Sequence, residues 1–446
     1  MKKYFGTDGI RGTANQFPIT AQIALKIGMA VGAKLKDGAH RHRVIIGKDT
    51  RLSGYMIENA LTAGLVSVGI DVFLVGPLPT PAIAMLIKSL RADMGIMISA
   101  SHNPHHDNGI KIFKRSGHKL DDKTECEIEK IIDGDLSQFL SPANEIGTAS
   151  RIKEAKDRYL EFVKNTFPKH KSLEGLTIVI DAANGAAYDI ASKVMWELGA
   201  NVIAIGNNPN GSNINEECGS TSPEVLQKRV LEENADIGIA LDGDADRVLI
   251  CDENSKIIDG DILIGLIANK LHLEGSLKKD TVVATQMSNL SLEKYLRYNG
   301  ISLVRCDIGD RYVVKKIQEL KCNFGGEQSG HIILSEHSTT GDGLVSALQI
   351  LNIMIDDKRK LSEISNIFQL SPQILKNVRF NKNNNPLNNP EFQAVIQNEQ
   401  KLIAGKGRIL VRKSGTENLI RIMVEGESEE EIIKIADRIA NNINIA

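Results

Sequence analysis

Short apolar runs that alternate with helix-length amphipathic stretches constrain this chain more than any other feature. Val44-Ile-Ile46, Asp71-Val-Phe-Leu-Val75 and Met94-Gly-Ile-Met-Ile98 have the length and composition of strands in a sheet buried on both faces. Between them, Gly54 to Val68 and Thr80 to Leu90 read as helices. Thr80-Pro81 fits an N-cap residue followed by proline at the first helical position. Strand–helix alternation implies a mainly parallel sheet covered by helices, an α/β fold.

The theme then recurs. At 446 residues the chain is too long for one core, so several domains are expected. A polar segment, Ser137 to Ser150, precedes a helix expected over Arg151 to Phe167, which links the first unit to the next. The second α/β unit opens with Leu176-Thr-Ile-Val-Ile180. The third carries strands at Thr281-Val-Val-Ala284 and Ser302-Leu-Val-Arg305, with helices over Asp261–Leu271, Leu290–Tyr298 and Asp310–Leu320. A smaller fourth unit has strands at Lys376–Phe380, Arg408–Val411 and Leu419–Val424, and helices at Glu391–Leu402 and Glu429–Ile443. Ser428 and Glu431 have the spacing of a capping box. The expected divisions are 1–153, 154–254, 255–368 and 369–446.

Open α/β sheets bind ligands at the carboxyl ends of their strands. The Met94 strand ends in Ser99-Ala-Ser-His-Asn-Pro104, which sets hydroxyls and an imidazole at that edge. A serine there is a candidate nucleophile or phosphate carrier. Pro104 and Asn108-Gly109 are expected to hold the segment as a loop. A second strand, Asp236-Ile-Gly-Ile-Ala-Leu241, ends in Asp242-Gly-Asp244-Ala-Asp246-Arg247. Three carboxylates at alternate positions repel one another unless a cation neutralises them. Oxygen-only ligands favour a hard ion, Mg²⁺ above Zn²⁺. The spacing overlaps that of an EF-hand, and Glu253 falls where its last ligand would be. Arg247 replaces the required glycine, however, and Val248-Leu-Ile250 reads as a strand, which excludes calcium signalling.

Two further loops carry chemistry. In Gly325-Gly-Glu327-Gln-Ser329-Gly-His331, glycines let the backbone approach a ligand. Glu327 and Ser329, two apart in an extended segment, face one side and suit vicinal sugar hydroxyls. In Arg412-Lys-Ser414-Gly415-Thr416-Glu417, an arginine, two hydroxyls and exposed amides make a phosphate nest that Arg421 closes. A hydroxyl, a metal site, a hydroxyl grip and a phosphate cradle together describe phosphoryl transfer on a polyhydroxylated phosphate.

Composition argues against two classes of partner, which leaves small-molecule sugar phosphates as the expectation set by the loops. A net charge of −2 argues against general binding to nucleic acid or a membrane surface. No apolar run approaches the ~18 residues of a membrane span. Cysteines 126, 218, 251, 306 and 322 are odd in number and widely spaced, with no Cys-x-x-Cys. They read as reduced thiols of a cytoplasmic protein.

In order and content the four loops resemble those of the α-D-phosphohexomutase family, over essentially the whole chain. That resemblance implies three α/β domains around a central cleft and a smaller C-terminal α+β domain like the TATA-binding protein. It implies a phosphoserine at Ser101, and Mg²⁺ held by Asp242, Asp244, Asp246 and the phosphate on Ser101. It assigns the Gly326–His331 loop, with Glu327 and Ser329, to sugar recognition, and Asp310 to a further specificity loop. Arg412, Ser414, Gly415, Thr416 and Arg421 match the family's phosphate-binding loop. Arg11, His102, Lys111, Arg247 and His331 match positions near the transfer, with Lys111 or His331 as proton-transfer candidates. A base role for Lys111 would require a depressed pKa.

Phe5-Gly-Thr-Asp-Gly-Ile-Arg-Gly12, Ser99 and Gln328 are similar to the subgroup acting on glucosamine phosphates. Asn418 departs from the family, which usually has proline there. The resemblance further implies a hexose 1,6-bisphosphate as intermediate and activator, and a homodimer. Rival readings are a mutase for mannose or glucose phosphates, a non-catalytic sugar-phosphate sensor on the same fold, and a magnesium phosphatase.

Overall fold

The computed structural model describes residues 2–36, 40–380, 385–413 and 418–443. Among these residues four sheets follow one another along the chain.

The first sheet contains β1 (Ile10–Thr13), β2 (Arg43–Lys48), β3 (Asp71–Pro77), β4 (Met94–Ile98), β5 (Asp107–Lys114) and β6 (Ala149–Arg151), in the order β1-β5-β4-β2-β3-β6. Its centre is parallel, as the alternation of strands and helices predicts: β2 pairs with β3 and β4, and β3 with β6. One edge is not. β5 runs antiparallel to both β4 and β1. Asn108-Gly109, expected in a loop, therefore lies inside a buried strand. Gly109 is required there, because a Cβ would sit 2.5 Å from Ser99 O and 2.9 Å from Ile10 O. The glycine marks close backbone approach rather than a turn.

The second sheet contains β7 (Thr177–Asp181), β8 (Asn201–Ile205), β9 (Ile237–Leu241), β10 (Val248–Asp252) and β11 (Ile257–Ile258). β11 pairs back on β10 as a hairpin, so the expected division at 254/255 falls within its turn and the unit runs on through Ile258. The third sheet contains β12 (Thr281–Thr285), β13 (Ser302–Cys306), β14 (Phe324–Gly326) and β15 (Ile332–Leu334). The fourth is an antiparallel sheet of β16 (Gln373–Arg379), β17 (Gly407–Lys413) and β18 (Leu419–Gly426), with β18 in the middle.

Helices largely match the periodicity. The linker helix is shorter than expected, Ala155–Lys164, because Arg151 ends the edge strand β6. The helix at Thr80–Ser89 has Pro79 at its N-cap, and Thr80 caps nothing. Its hydroxyl turns to a carboxylate of the second unit instead.

One continuous apolar cluster joins the first three units. It includes Ile83 and Leu86 from the first, Val163 and Ile190 from the linker and second, and Leu344 and Leu348 from the buried helix Gly343–Asp357. The fourth unit has its own core, with Phe392, Ile420, Ile422, Ile435 and Ile439. Polar contacts dock it on the third: Arg408 Nη1 donates to Gln286 O at 2.6 Å and Leu290 N donates to Glu425 Oε1 at 2.7 Å. The shared core holds the carboxyl edges of the first two sheets against each other, which is where the polar loops meet.

Candidate active site

Ser101 lies on the loop leaving β4 and is 1% exposed. Its backbone is left-handed, φ +54°. L residues disfavour this conformation by about 1–2 kcal/mol, so neighbours must hold it. Ser101 N donates to Ser99 Oγ at 2.9 Å. Ser101 O accepts from Asn215 Nδ2 at 2.9 Å and Arg51 Nη2 at 3.2 Å. The same two side chains reach Asn103 O at 3.1 and 2.5 Å. So clamped, Ser101 Oγ donates to Asp242 Oδ2 at 2.5 Å across 141 residues of sequence.

Asp242, Asp244 and Asp246 follow β9 in a tight turn, with Ala245 at φ +57° and its N–H donating to Asp242 O at 2.9 Å. All three are buried, and one oxygen from each falls within 4.8 Å of the others. Gly243 makes the approach of the two loops possible, since a Cβ would meet Ser101 O at 2.6 Å. Burial, then the charges of Asp246 and Asp244, push the Asp242 pKa up to about 8. Partial relief comes from Lys111 Nζ, 2.6 Å from Asp244 Oδ2 and 3.3 Å from Asp246 Oδ2. Thr80 Oγ1 donates to Asp244 Oδ2 at 2.5 Å. Asp244 Oδ1 and Asp246 Oδ1 are buried with no hydrogen-bond partner among the described residues. Three convergent carboxylates with unpartnered oxygens fit a hard divalent cation such as Mg²⁺.

Charged groups extend the site. Burial works to lower the Lys111 pKa, but Asp244, Asp246 and Asp8 outweigh it and raise it. The depressed pKa required for a base role is thus not what this environment produces, and Lys111 is a cation here. His331 is buried; its Nδ1 is 3.6 Å from Asp246 Oδ1 and its Nε2 3.8 Å from Asp310 Oδ2. Gly341 N donates to Nε2 at 3.1 Å, which places the ring proton on Nδ1, toward Asp246. Burial disfavours the imidazolium, but Asp246, Asp310 and Glu327 outweigh it and raise the His331 pKa. His102 Nδ1 is 3.4 Å from Ser101 Oγ, and burial, Arg247 and Arg11 lower its pKa to about 4, so it is neutral. Arg247 N donates to Asp242 Oδ1 at 3.2 Å, and Arg11 Nη2 pairs with Asp8 at 2.5 Å. The guanidinium Nε atoms of Arg247 and Arg11 are buried without hydrogen-bond partners among the described residues, Arg247 Nε lying 4.0 Å from Asp246 Oδ1.

The third unit supplies the far wall. The segment around Glu327 is a tight turn rather than extended, with Gly330 N donating to Glu327 O at 3.0 Å. Glu327 is buried, accepting from Gly309 N at 3.1 Å, and burial raises its pKa. Ser329 is exposed and Glu327 buried, so the extended geometry expected to set both on one face is not the one found. Asp310 Oδ2 accepts from Lys119 Nζ at 2.5 Å, joining the third unit to the first. Arg412 and Arg421 are direct cross-strand partners on β17 and β18. Like charges so placed repel, and burial, then Arg421, lowers the Arg412 pKa. An anion bound between them would relieve this. Among the described residues no hydrogen bond or ion pair ties the two arginines to the Ser101 cluster. Ser414, Gly415 and Thr416 lie outside the described residues.

Periodicity and motifs did not single out Arg51, Asn215, Lys119 or Asp8 as site residues, and read Thr80 only as a helix N-cap. Asp8 sits in the quoted Phe5–Gly12 segment with its partner Arg11, but its other partners, Lys111 and Lys119, come from β5 and the segment just after it. Asn215 and Arg51 carry no local signal at all.

Comparison with known proteins agrees with this geometry. Models of the four domains of the phosphoglucomutase/phosphomannomutase family match: α/β/α domain I at residues 2–138, domain II at 157–256, domain III at 259–370 and the C-terminal domain at 375–442. The phosphoglucosamine mutase of Granulibacter bethesdensis is 55% identical over 446 residues, covering 100% of this chain and 97% of that protein. That of Parvibaculum lavamentivorans is 56% identical over 439 residues, covering 98% of each. Among solved structures, a phosphoglucomutase/phosphomannomutase family protein from Burkholderia thailandensis superposes with a TM-score of 0.83 at 22% identity, covering 99% of this chain and 97% of that one. N-acetylphosphoglucosamine mutase from Aspergillus fumigatus, solved in complex with GlcNAc-6P and magnesium, superposes with a TM-score of 0.66 at 18% identity, covering 99% of this chain and 96% of that one. Matched over all four domains, and with a hydroxyl-and-carboxylate centre where the first two of them meet, the chain belongs to the phosphoglucomutase/phosphomannomutase family, among relatives named phosphoglucosamine mutase.

Proposed function

We propose that this enzyme interconverts glucosamine 6-phosphate and glucosamine 1-phosphate through a phosphoserine at Ser101 and a 1,6-bisphosphate intermediate. The observation that carries this reading is the Ser101 Oγ–Asp242 Oδ2 contact beside two buried, unpartnered carboxylate oxygens. Relatives at 55–56% identity over the full chain bear the corresponding name.

In the forward direction the bond from Ser101 Oγ to phosphorus breaks as one forms to O1 of glucosamine 6-phosphate. The O1 proton passes to a nearby acceptor; His331 serves in that role only once its Nε2 is released from Gly341 N. The 1,6-bisphosphate turns over in the cleft, and its 6-phosphoryl group returns to Ser101 Oγ, leaving glucosamine 1-phosphate. Asp242, Asp244 and Asp246, with the serine phosphate, would hold a Mg²⁺ ion, which would neutralise charge on the transferring group. Lys111, Arg247 and Arg11 surround the same point as fixed cations, so little reorganisation accompanies transfer. Glu327, Ser329 and Asp310 grip the sugar hydroxyls in both orientations. Arg412 and Arg421, with Ser414, Gly415 and Thr416, hold the phosphate that is not reacting through charge-assisted bonds. A hexose 1,6-bisphosphate serves as activator by phosphorylating Ser101. The five free thiols fit a cytoplasmic enzyme, and the family likeness a homodimer. Its product feeds the synthesis of nucleotide-activated amino sugar for cell-wall precursors. The units of this reading are 1–153, 154–258, 259–368 and 369–446.

The test is ³¹P NMR of the protein with Mg²⁺, a trace of hexose 1,6-bisphosphate and glucosamine 6-phosphate, beside glucose and mannose 6-phosphate samples. A glucosamine 1-phosphate signal that grows fastest supports the reading. Faster turnover of the other sugars moves the enzyme to a sister activity. Free phosphate release would mark a phosphatase, and binding without interconversion a sensor.

A further inference from the structure

A second cluster of ligating side chains lies at the opposite edge of the first sheet from Ser101. His42 immediately precedes β2 and Asp93 immediately precedes β4, so both sit at the amino ends of parallel strands. The Ser101 loop leaves the carboxyl end of β4, about 17 Å of strand away. His40 Nε2 is 3.1 Å from Asp93 Oδ1, and His42 Nδ1 is 3.5 Å from Asp93 Oδ2. The two imidazole centroids are 4.1 Å apart. One ligand atom from each of the three side chains lies within 4.8 Å of the others.

The backbone fixes this arrangement. Asp93 N donates to Arg43 O at 2.9 Å, and Asp93 Oδ2 accepts from Arg43 N at 3.0 Å. Asp71 N donates to His42 O at 3.0 Å, which extends the β2–β3 pairing by a residue. His40 and His42, two apart, turn their rings to the same side. Arg41 between them is drawn away, with Nε 2.8 Å from Asp71 Oδ2 and Nη2 donating to Ile146 O at 3.2 Å. A surface cavity of about 420 Å³, lined by Lys36, His40, Arg41, His42 and Glu145 among others, opens beside the two imidazoles.

His42 points to a ligand independently of the spacing. It is 7% exposed, and neither of its ring nitrogens has a hydrogen-bond partner among the described residues. Buried polar groups are almost always satisfied, and a metal ion is one way to satisfy an imidazole.

We propose that His40, His42 and Asp93 bind a divalent transition-metal ion of the zinc type, with water completing a tetrahedral shell. Two imidazoles and one carboxylate suit Zn²⁺ or Co²⁺, whereas Mg²⁺ prefers oxygen ligands alone. The site therefore selects a different ion from the Asp242 cluster, and it stands whether or not the reaction assigned above is correct. Such an ion clips the entry of β2 to that of β4.

The test uses the full chain, stripped of metal and returned to excess Mg²⁺, then titrated with CoCl₂ by visible spectroscopy and with ZnCl₂ by calorimetry. One Co²⁺ per chain with the intense bands of a tetrahedral, nitrogen-containing site is expected, displaced by Zn²⁺. His40→Ala and Asp93→Asn should each weaken binding by on the order of 10-fold or more, with turnover unchanged. Asn at 93 keeps an oxygen for Arg43 N, and the His40 side chain is mostly exposed, so both variants fold. His42→Asn should abolish the tetrahedral bands. Failure to bind Co²⁺ under excess Mg²⁺, or binding unaltered by His40→Ala and Asp93→Asn, would overturn the proposal.

Discussion

Arg51 should govern activity without approaching the substrate. It is fully buried just after β2, pairs with Asp49, and donates to Ser101 O and Asn103 O. Replacing it by methionine removes two of the four bonds that these carbonyls receive from Arg51 and Asn215. It also takes the charged partner from Asp49, which is 1% exposed and keeps only the residue 51 N–H and the Ser99 side chain. A buried charge that loses its partner costs about 3–5 kcal/mol. Burial already raises the Asp49 pKa, and Arg51 opposes that rise. Without Arg51 the folded-state pKa goes higher still. A carboxyl with a raised folded pKa contributes stability that is present at low pH and lost as pH rises through that pKa. The Arg51→Met penalty should therefore be small in acid and grow toward alkaline pH.

The double variant Arg51→Met/Asp49→Asn removes the stranded charge and should regain most of the stability. What remains is the positional effect. Ser101 at φ +54° has only Asn215 to hold its carbonyl, and about 1–2 kcal/mol favours its leaving that conformation. A reacting oxygen displaced by about 1 Å costs on the order of 100-fold in kcat/KM, or roughly 2.7 kcal/mol. Urea unfolding at acid and alkaline pH, with ³¹P turnover assays on both variants, measures each part. A folded double variant with wild-type kcat/KM would refute the positioning argument and leave Arg51 a packing role.

Three other outcomes are expected. Ser101→Ala should lower turnover by orders of magnitude with an unchanged urea midpoint; wild-type turnover would remove the phosphoserine. Chelator should abolish turnover and Mg²⁺ restore it, since the unpartnered oxygens of Asp244 and Asp246 demand a cation; indifference to chelator removes the metal. Asp121 caps the helix Asp122–Ile132, and hydrogen bonds from Thr124 lower its pKa to about 2. Asp121→Ala should cost about 1 kcal/mol. Its contribution is present above the ordinary carboxylate pKa and is lost as pH falls through about 2, so thermal melts of wild type and variant should converge in strong acid.

Local signals in the sequence were read correctly where local physics decides. Met94–Ile98 and Ile237–Leu241 are buried strands because apolar runs of that length have no other stable home. The alternate spacing of Asp242, Asp244 and Asp246 put three carboxylates in one turn, and that turn brings them together. The helices over Glu391–Leu402 and Glu429–Ile443 match to within a residue at each end. Where a residue answered to a distant partner, the local reading failed. Thr80 looks like an N-cap, yet its hydroxyl serves Asp244, 164 residues away. Asn108-Gly109 looks like a turn, but the glycine admits a backbone neighbour within a buried antiparallel strand.

The sequence by itself thus determined most of the strand and helix pattern, the repetition of α/β units, and the placing of the Ser101 and Asp242 loops at strand ends. These depend on periodicity, capping and residue type, all short-range properties. Tertiary structure alone decided that Ser101 Oγ meets Asp242, that Lys111 meets Asp244 and Asp246, and that Arg51 and Asn215 clamp the serine. Those contacts span 50 to 141 residues. They form because a shared apolar core presses two sheets edge to edge, and no spacing along a chain encodes which edges meet.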